Sequence, residues 1–174
     1  GGDGDDVFQF TGTTSGADAI NGGNGVDTVT ALAANTIIGL SSFSSVELIT
    51  SGGFAGVTIA GSANGDVLDF STTTLSGIGK IDGGAGNDTI TGTAAADILL
   101  GSGGDDTLVG GQGNDSFQFT GAANGADIID GGDGTDTLVA LAASTVIGLA
   151  SFTNIEAISS GGFAGVSIAG RRSC

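Results

Sequence analysis

Residues 83–118 read GGAGNDTIT, GTAAADILL, GSGGDDTLV and GGQGNDSFQ, four nonapeptides in an unbroken run. The sixth residue of each is aspartate (Asp88, Asp97, Asp106, Asp115) and the eighth is apolar (Ile90, Leu99, Leu108, Phe117). A glycine-rich hexapeptide followed by three residues reads as a tight turn and a very short strand. Glycine lets the turn take positive φ without a steric penalty and lets carbonyls converge on one point. Strand side chains alternate faces, so the eighth residue points away from the seventh and ninth. One such strand cannot bury its single apolar side chain. A stack of them can, as a continuous aliphatic column.

Outside this run the same frame recurs, giving twelve nonapeptides in all. Their eighth residues are Phe8, Ile20, Val29, Ile59, Leu68, Ile90, Leu99, Leu108, Phe117, Ile129, Leu138 and Ile168. Ten carry Asp at the sixth position. The exceptions are Val57 and Val166, which lie 109 residues apart. That distance is a second period: residues 1–61 realign with 110–170 at 40 of 61 positions. The spacers 31–51, 70–82 and 140–160 carry Ile, Leu, Phe and Val at strand-like intervals and read as further coils without a metal turn. No linker interrupts the pattern. The expectation is therefore one continuous all-β domain over 1–170, with copies of the long unit at 1–109 and 110–170. A non-repeat tail, RRSC at 171–174, reads as a junction. Successive turns fall on opposite sides, so a coil takes 18 residues and the chain makes nine or ten coils, ~45 Å at strand spacing.

Composition narrows the chemistry. The 174 residues include 36 Gly, 17 Asp and 2 Glu against three basic residues, for a net charge of −16. Apolar residues still make up 39%, too many for an acidic disordered chain. The charge argues against nucleic acid and anionic membrane surfaces as partners. No apolar run approaches the ~20 residues of a membrane span, so membrane insertion is not expected. There is no His, and the one Cys is residue 174. Zinc sites, haem ligation, Ser-His-Asp catalysis and internal disulfides are thereby excluded.

The aspartates carry the functional reading. Stacked coils place the sixth-position carboxylates in rows about 4.8 Å apart, where they repel one another unless a cation lies between them. Oxygen donors without nitrogen or sulfur suit Ca²⁺, which takes 6–8 oxygens. The expected pairs are Asp88 with Asp106, Asp97 with Asp115, Asp106 with Asp127, Asp115 with Asp136, and Asp6 with Asp27. The pattern GGxGxDxUx resembles the RTX, or haemolysin-type, calcium-binding repeat. The resemblance implies a right-handed parallel β-roll in which the sixth-position Asp and carbonyls of positions one to four hold several Ca²⁺ ions. Carried onto this chain, it implies ligand roles for Asp6, Asp27, Asp88, Asp106, Asp115 and Asp136. Asp18, Asp66, Asp97 and Asp127 follow in turns that depart from the pattern: GTAAAD lacks the second and fourth glycines, and TTSGAD and AANGAD begin without one. The implied carbonyls are those of Gly83, Gly84, Ala85, Gly86, Gly101, Gly103, Gly110, Gly111, Gln112 and Gly113. GGFAGV has no carboxylate and predicts plain coils at Val57 and Val166.

The remaining acids, Asp3, Asp5, Asp69, Asp82, Asp105, Asp130 and Asp133, read as solvated surface charges. Glu47 and Glu156 occupy equivalent positions about six coils apart, too far for a paired-carboxylate active site. They read as structural hydrogen-bonding groups or lateral contacts. No nucleophile and base come together in the pattern, and without His a general base needs a strongly perturbed Asp. The expected function is a non-enzymatic calcium-binding structural module that folds on binding calcium. The long repeat and the start inside a repeat suggest a segment of an adhesin stalk, surface layer or extracellular filament. Other copies of the chain are candidate partners, end to end or side by side. The alternative is a folding and secretion module attached to an RTX protease or lipase. The resemblance further implies a Gram-negative host and export by type I secretion.

Overall fold

A computed structural model describes residues 1–14 and 16–170; the RRSC tail lies outside them. The described residues form twenty short strands and no helix, and every strand pair is parallel. The chain is a β-solenoid of about eight turns.

Three ladders of strands run along it. The first stacks Val7–Phe10, Thr28–Ala31, Leu48–Thr50 and Thr74–Ser76. The second runs from Asp18–Asn21 through Val67–Asp69, Thr89–Thr91, Thr107–Gln112 and Asp127–Asp133. The third holds Thr58–Ala60, Ile81–Asp82, Ile98–Leu100, Ser116–Phe119, Thr137–Ala140 and Ala157–Ser159. The eight-residue strand Ile37–Ser44 joins two of them: Ile38 faces Ile59 in the third, and Ser42 faces Val67 in the second. Its counterpart one long unit later, Val146–Thr153, does the same between Ser167–Gly170 and Asp127–Asp133. The spacers 31–51 and 140–160 are thus coils of the solenoid.

Coil length varies with them. In the centre Thr89 faces Thr107 and Ile81 faces Leu99, an offset of 18 residues with two strands per coil. Where a spacer intervenes the coil holds three strands, and the offset is 20 from Thr28 to Leu48 and 26 from Leu48 to Thr74. The 18-residue coil thus describes the middle of the molecule, and the longer coils leave about eight turns where nine or ten were expected. Ladder pairing also puts five coils, not six, in one long unit: Ala19 faces Ser42, then Val67, Thr89, Thr107 and Ile128 follow at the same level of successive coils.

The eighth positions, joined by Ile81 of the spacer 70–82, build the core. Leu68, Ile90, Leu108 and Ile129 stack in the second ladder, and Ile59, Ile81, Leu99, Phe117 and Leu138 in the third, all essentially inaccessible to solvent. Phe8 is half-buried and Ile168 exposed, in the first and last coils. Val57, in the sixth position of GGFAGV, turns inward and is fully buried. Within the first copy of the long unit, Phe43 and Phe70 stack with ring centroids 4.7 Å apart.

Candidate metal centre

Turns lie directly above turns because the strands between them are in register. A sixth-position Asp therefore sits beside its counterpart in the next coil, and the two are joined by a backbone hydrogen bond. The amide of Asp88 donates to Asp106 Oδ1 at 2.8 Å, and that of Asp106 to Asp127 Oδ1 at 3.0 Å. Asp66 donates to Asp88, Asp97 to Asp115, Asp115 to Asp136 and Asp6 to Asp27 in the same way. All five expected pairs are thus neighbours along a carboxylate ladder, with Asp66 joined to Asp88 as a sixth.

One carboxylate oxygen is used in each rung. The other, Oδ2, is buried without a hydrogen-bond partner at Asp6, Asp27, Asp88, Asp106, Asp115 and Asp136. These are the aspartates of the turns closest to the repeat pattern. Each Oδ2 folds back onto the first residue of its own turn, which must be glycine. A Cβ on Gly83 would collide with Asp88 Oδ2, one on Gly110 with Asp115 Oδ2, and one on Gly22 with Asp27 Oδ2. The carbonyl of the next coil reaches the same place: Gly101 O lies 3.1 Å from the Cβ position of Gly83. A buried anionic oxygen without a donor costs several kcal/mol unless protonated or paired with a cation. The donors present are carboxylate and carbonyl oxygens, which fit a hard divalent ion. No three acidic or cysteine side chains converge among the described residues, so such an ion must draw on backbone carbonyls for most of its oxygens.

Burial leaves its mark on the acids. Desolvation pushes the carboxyl groups of Asp88 and Asp115 up to about 6 and that of Asp127 up to about 7, against an ordinary 3.8. Asp106 is raised by the same cause. The neighbouring amide in the rung pulls each of them back down, and like charges along the ladder push Asp88, Asp115 and Asp127 further up.

The other sequence-derived candidates fall into different settings. Asp66 and Asp97 are buried, but hydrogens from their own turns cover them. Thr93 donates its amide and hydroxyl to Asp97 Oδ2 at 2.6 and 2.9 Å, and Ser62 donates its amide to Asp66 Oδ2 and its hydroxyl to Oδ1. Asp127 is buried in a turn whose first residue is Ala122. Asp18 is exposed, and the position facing it in the next coil is Leu40. Among the carbonyls, those of Gly83, Gly101 and Gly110 point at the first glycine of the preceding coil. Those of Gly86, Gly111 and Gly113 press on Gly104, Gly132 and Gly134. Gly84 O and Gly103 O accept amides from Gly103 and Gly86, Ala85 pairs with Gly103 in an isolated bridge, and Gln112 pairs with Asp133 in a strand.

Two features escaped the nonapeptide frame. Glu47 and Glu156 are rungs of the ladder: the amides of Asp27 and Asp136 donate to Glu47 Oε2 and Glu156 Oε2, both at 2.7 Å. Their turns are shorter than six residues, with Ser45 and Asn154 at positive φ just before them, so counting by nine passes over them. A second, outer ladder runs through the fifth positions. Asp5 accepts from the amide of Val26, Asn87 from Asp105, Asp105 from Ala126 and Asn114 from Thr135, at 2.9–3.0 Å. Asp5 and Asp105, read from the sequence as solvated charges, are exposed but hold adjacent coils together. Asp82 likewise accepts from Lys80 and Ser102.

A family model for the RTX calcium-binding nonapeptide repeat matches four copies, at residues 13–38, 82–117 and 122–143. These segments are similar to that repeat. They make up just under half of the chain and include five of the six turns with an unpartnered Oδ2, all but the first, wholly or in large part. A search of the curated proteins and of the solved structures found no match. The chain is thus a β-solenoid that matches the RTX calcium-binding repeat over nearly half of its length.

Proposed function

We propose that this chain is a non-enzymatic structural module of a secreted RTX-type protein, folded by calcium outside the cell. The observation that carries this reading is the set of six Oδ2 atoms buried without a hydrogen-bond partner among the described residues, each beside the glycine that opens its turn, with a carbonyl of the next coil converging there at Asp6, Asp27, Asp88, Asp115 and Asp136. Asp6, Asp27, Asp88, Asp106, Asp115 and Asp136 would hold Ca²⁺ together with carbonyls of the first glycines. The ion supplies the positive charge that allows these carboxylates to be buried ionised. At low calcium the charge of −16 keeps the chain expanded; at extracellular calcium the rows are neutralised and the aliphatic column closes. Recurrence of the long unit at 40 of 61 positions favours an adhesin stalk, surface layer or filament over an enzyme-attached module, which needs only a handful of nonapeptides.

Circular dichroism with calcium and with excess chelator tests the reading. A β signal should appear with calcium and vanish with EGTA. A signal that survives EGTA unchanged at neutral pH overturns it.

A further inference from the structure

Among the described residues, eight turns bury a sixth-position carboxylate behind an opening glycine, and they are not alike. In six of them Oδ2 is unpartnered, and the fourth residue is a glycine at positive φ: Gly4, Gly25, Gly86, Gly104, Gly113 and Gly134. In the other two, 61–66 and 92–97, the fourth residue is Asn64 or Ala95, neither of which adopts positive φ. There the chain folds back so that the second residue reaches its own carboxylate with both an amide and a hydroxyl. The same hydroxyl accepts the amide of the fourth residue, at 3.0 Å in both turns (Asn64 to Ser62, Ala95 to Thr93). A hydroxyl at the second position does not suffice. Ser102 has one, but it sits at φ +68, turns its Oγ to Asp82 at 2.7 Å, and leaves Asp106 Oδ2 unpartnered. Backbone sign at the fourth position therefore separates the two kinds of turn.

We propose that Ser62 and Thr93 are latches: they close the turns 61–66 and 92–97 in place of a cation, so that Asp66 and Asp97 bury their carboxylates without binding calcium. The proposal rests on the calcium reading of the other six turns. Two donors from its own turn give Asp97 the charge-assisted hydrogen bonds that an ion would otherwise replace. Placement supports the role. Asp66 opens the ladder that continues through Asp88, Asp106 and Asp127, and Asp97 opens the one through Asp115, Asp136 and Glu156. At these two opening rungs the carboxylate takes its hydrogens from within its turn, while each later carboxylate takes one from the coil before. These two ladders thus begin on a rung that is complete at any calcium concentration, whereas the ladder Asp6–Asp27–Glu47 opens on an unpartnered Asp6 Oδ2.

The test is the number of bound ions by native mass spectrometry of the full chain at saturating calcium. The double substitution Thr93→Gly, Ala95→Gly restores glycine at the second and fourth positions and should raise the count by one. Thr93→Val keeps the branched shape and removes only the hydroxyl. It should leave the count unchanged and lower the melting temperature of the calcium-loaded chain by a few degrees, the scale of one hydrogen bond to a charged group. An unchanged count in a folded double variant, or loss of an ion in Thr93→Val, overturns the latch. A wild-type chain that takes up no calcium overturns the calcium reading, and this inference with it.

Discussion

Asp106 shows what one residue does in this architecture. Oδ1 takes the amide of Asp88, and Oδ2 is buried without a hydrogen-bond partner against Gly101. Asp106→Asn separates the two roles. An asparagine oxygen can still accept the Asp88 amide, while the charge that burial penalises is gone. We expect the calcium needed for half-maximal β signal to rise ~10- to 100-fold at that turn, equivalent to about 1.5–3 kcal/mol of charge-assisted bonding. In chelator the same variant should be the more ordered chain. A calcium titration followed by circular dichroism checks both. The residue scale is also where the sequence is most readable. A glycine five positions before an aspartate signals the cradle, because any Cβ there meets the carboxylate. What could not be read is the direction of Ser62 and Thr93: their chemistry is visible in the sequence, but the backbone sign that aims them at Asp66 and Asp97 depends on Asn64 and Ala95 two residues on.

Among the elements, the three-residue strands owe their existence to the column rather than to themselves. Ile98–Leu100 is too short to persist alone, and Leu99 holds it by packing between Ile81 and Phe117. Leu99→Ala should cost about 2–5 kcal/mol, measured by denaturant unfolding of the calcium-loaded protein. The alternation of apolar and polar residues was enough to place this strand and its neighbours. It did not place the strand Ile37–Ser44 across two ladders, because its inward residues Ile38, Gly39 and Leu40 are consecutive and follow no simple alternation. Nor did it reveal Glu47 as a rung. A glutamate reaches one methylene further than aspartate, so a shorter turn can still bring its carboxylate to the Asp27 amide, and the nine-residue count is lost there.

For the molecule as a whole, the buried carboxyls set a pH dependence that runs against the usual acid lability. Asp88, Asp115 and Asp127 titrate at about 6 to 7 when folded and near 3.8 when unfolded. The folded chain therefore binds more protons than the unfolded one across that interval, and stability without metal falls as pH rises. This contribution is present in full below about pH 4 and is lost as pH rises through about 6 for Asp88 and Asp115 and about 7 for Asp127. In chelator the chain should gain β structure on acidification and lose it on return to neutrality, while with calcium the signal at pH 7 should persist. A circular dichroism pH titration from 4 to 8 in EGTA checks the sign; loss of order on acidification would contradict it.

The alternation between two-strand and three-strand coils has a longer reach. Ala19 and Ile128 are equivalent in the long unit and lie five coils apart, about 24 Å at strand spacing. A fibre built from many such units in tandem would thicken and thin once every 24 Å or so. Aligned and exposed to X-rays, it would scatter as a cross-β material with a superlattice: the familiar meridional spacing of ~4.8 Å, which is the fifth order of the long repeat, accompanied by a weak reflection at about 24 Å that records the spacers.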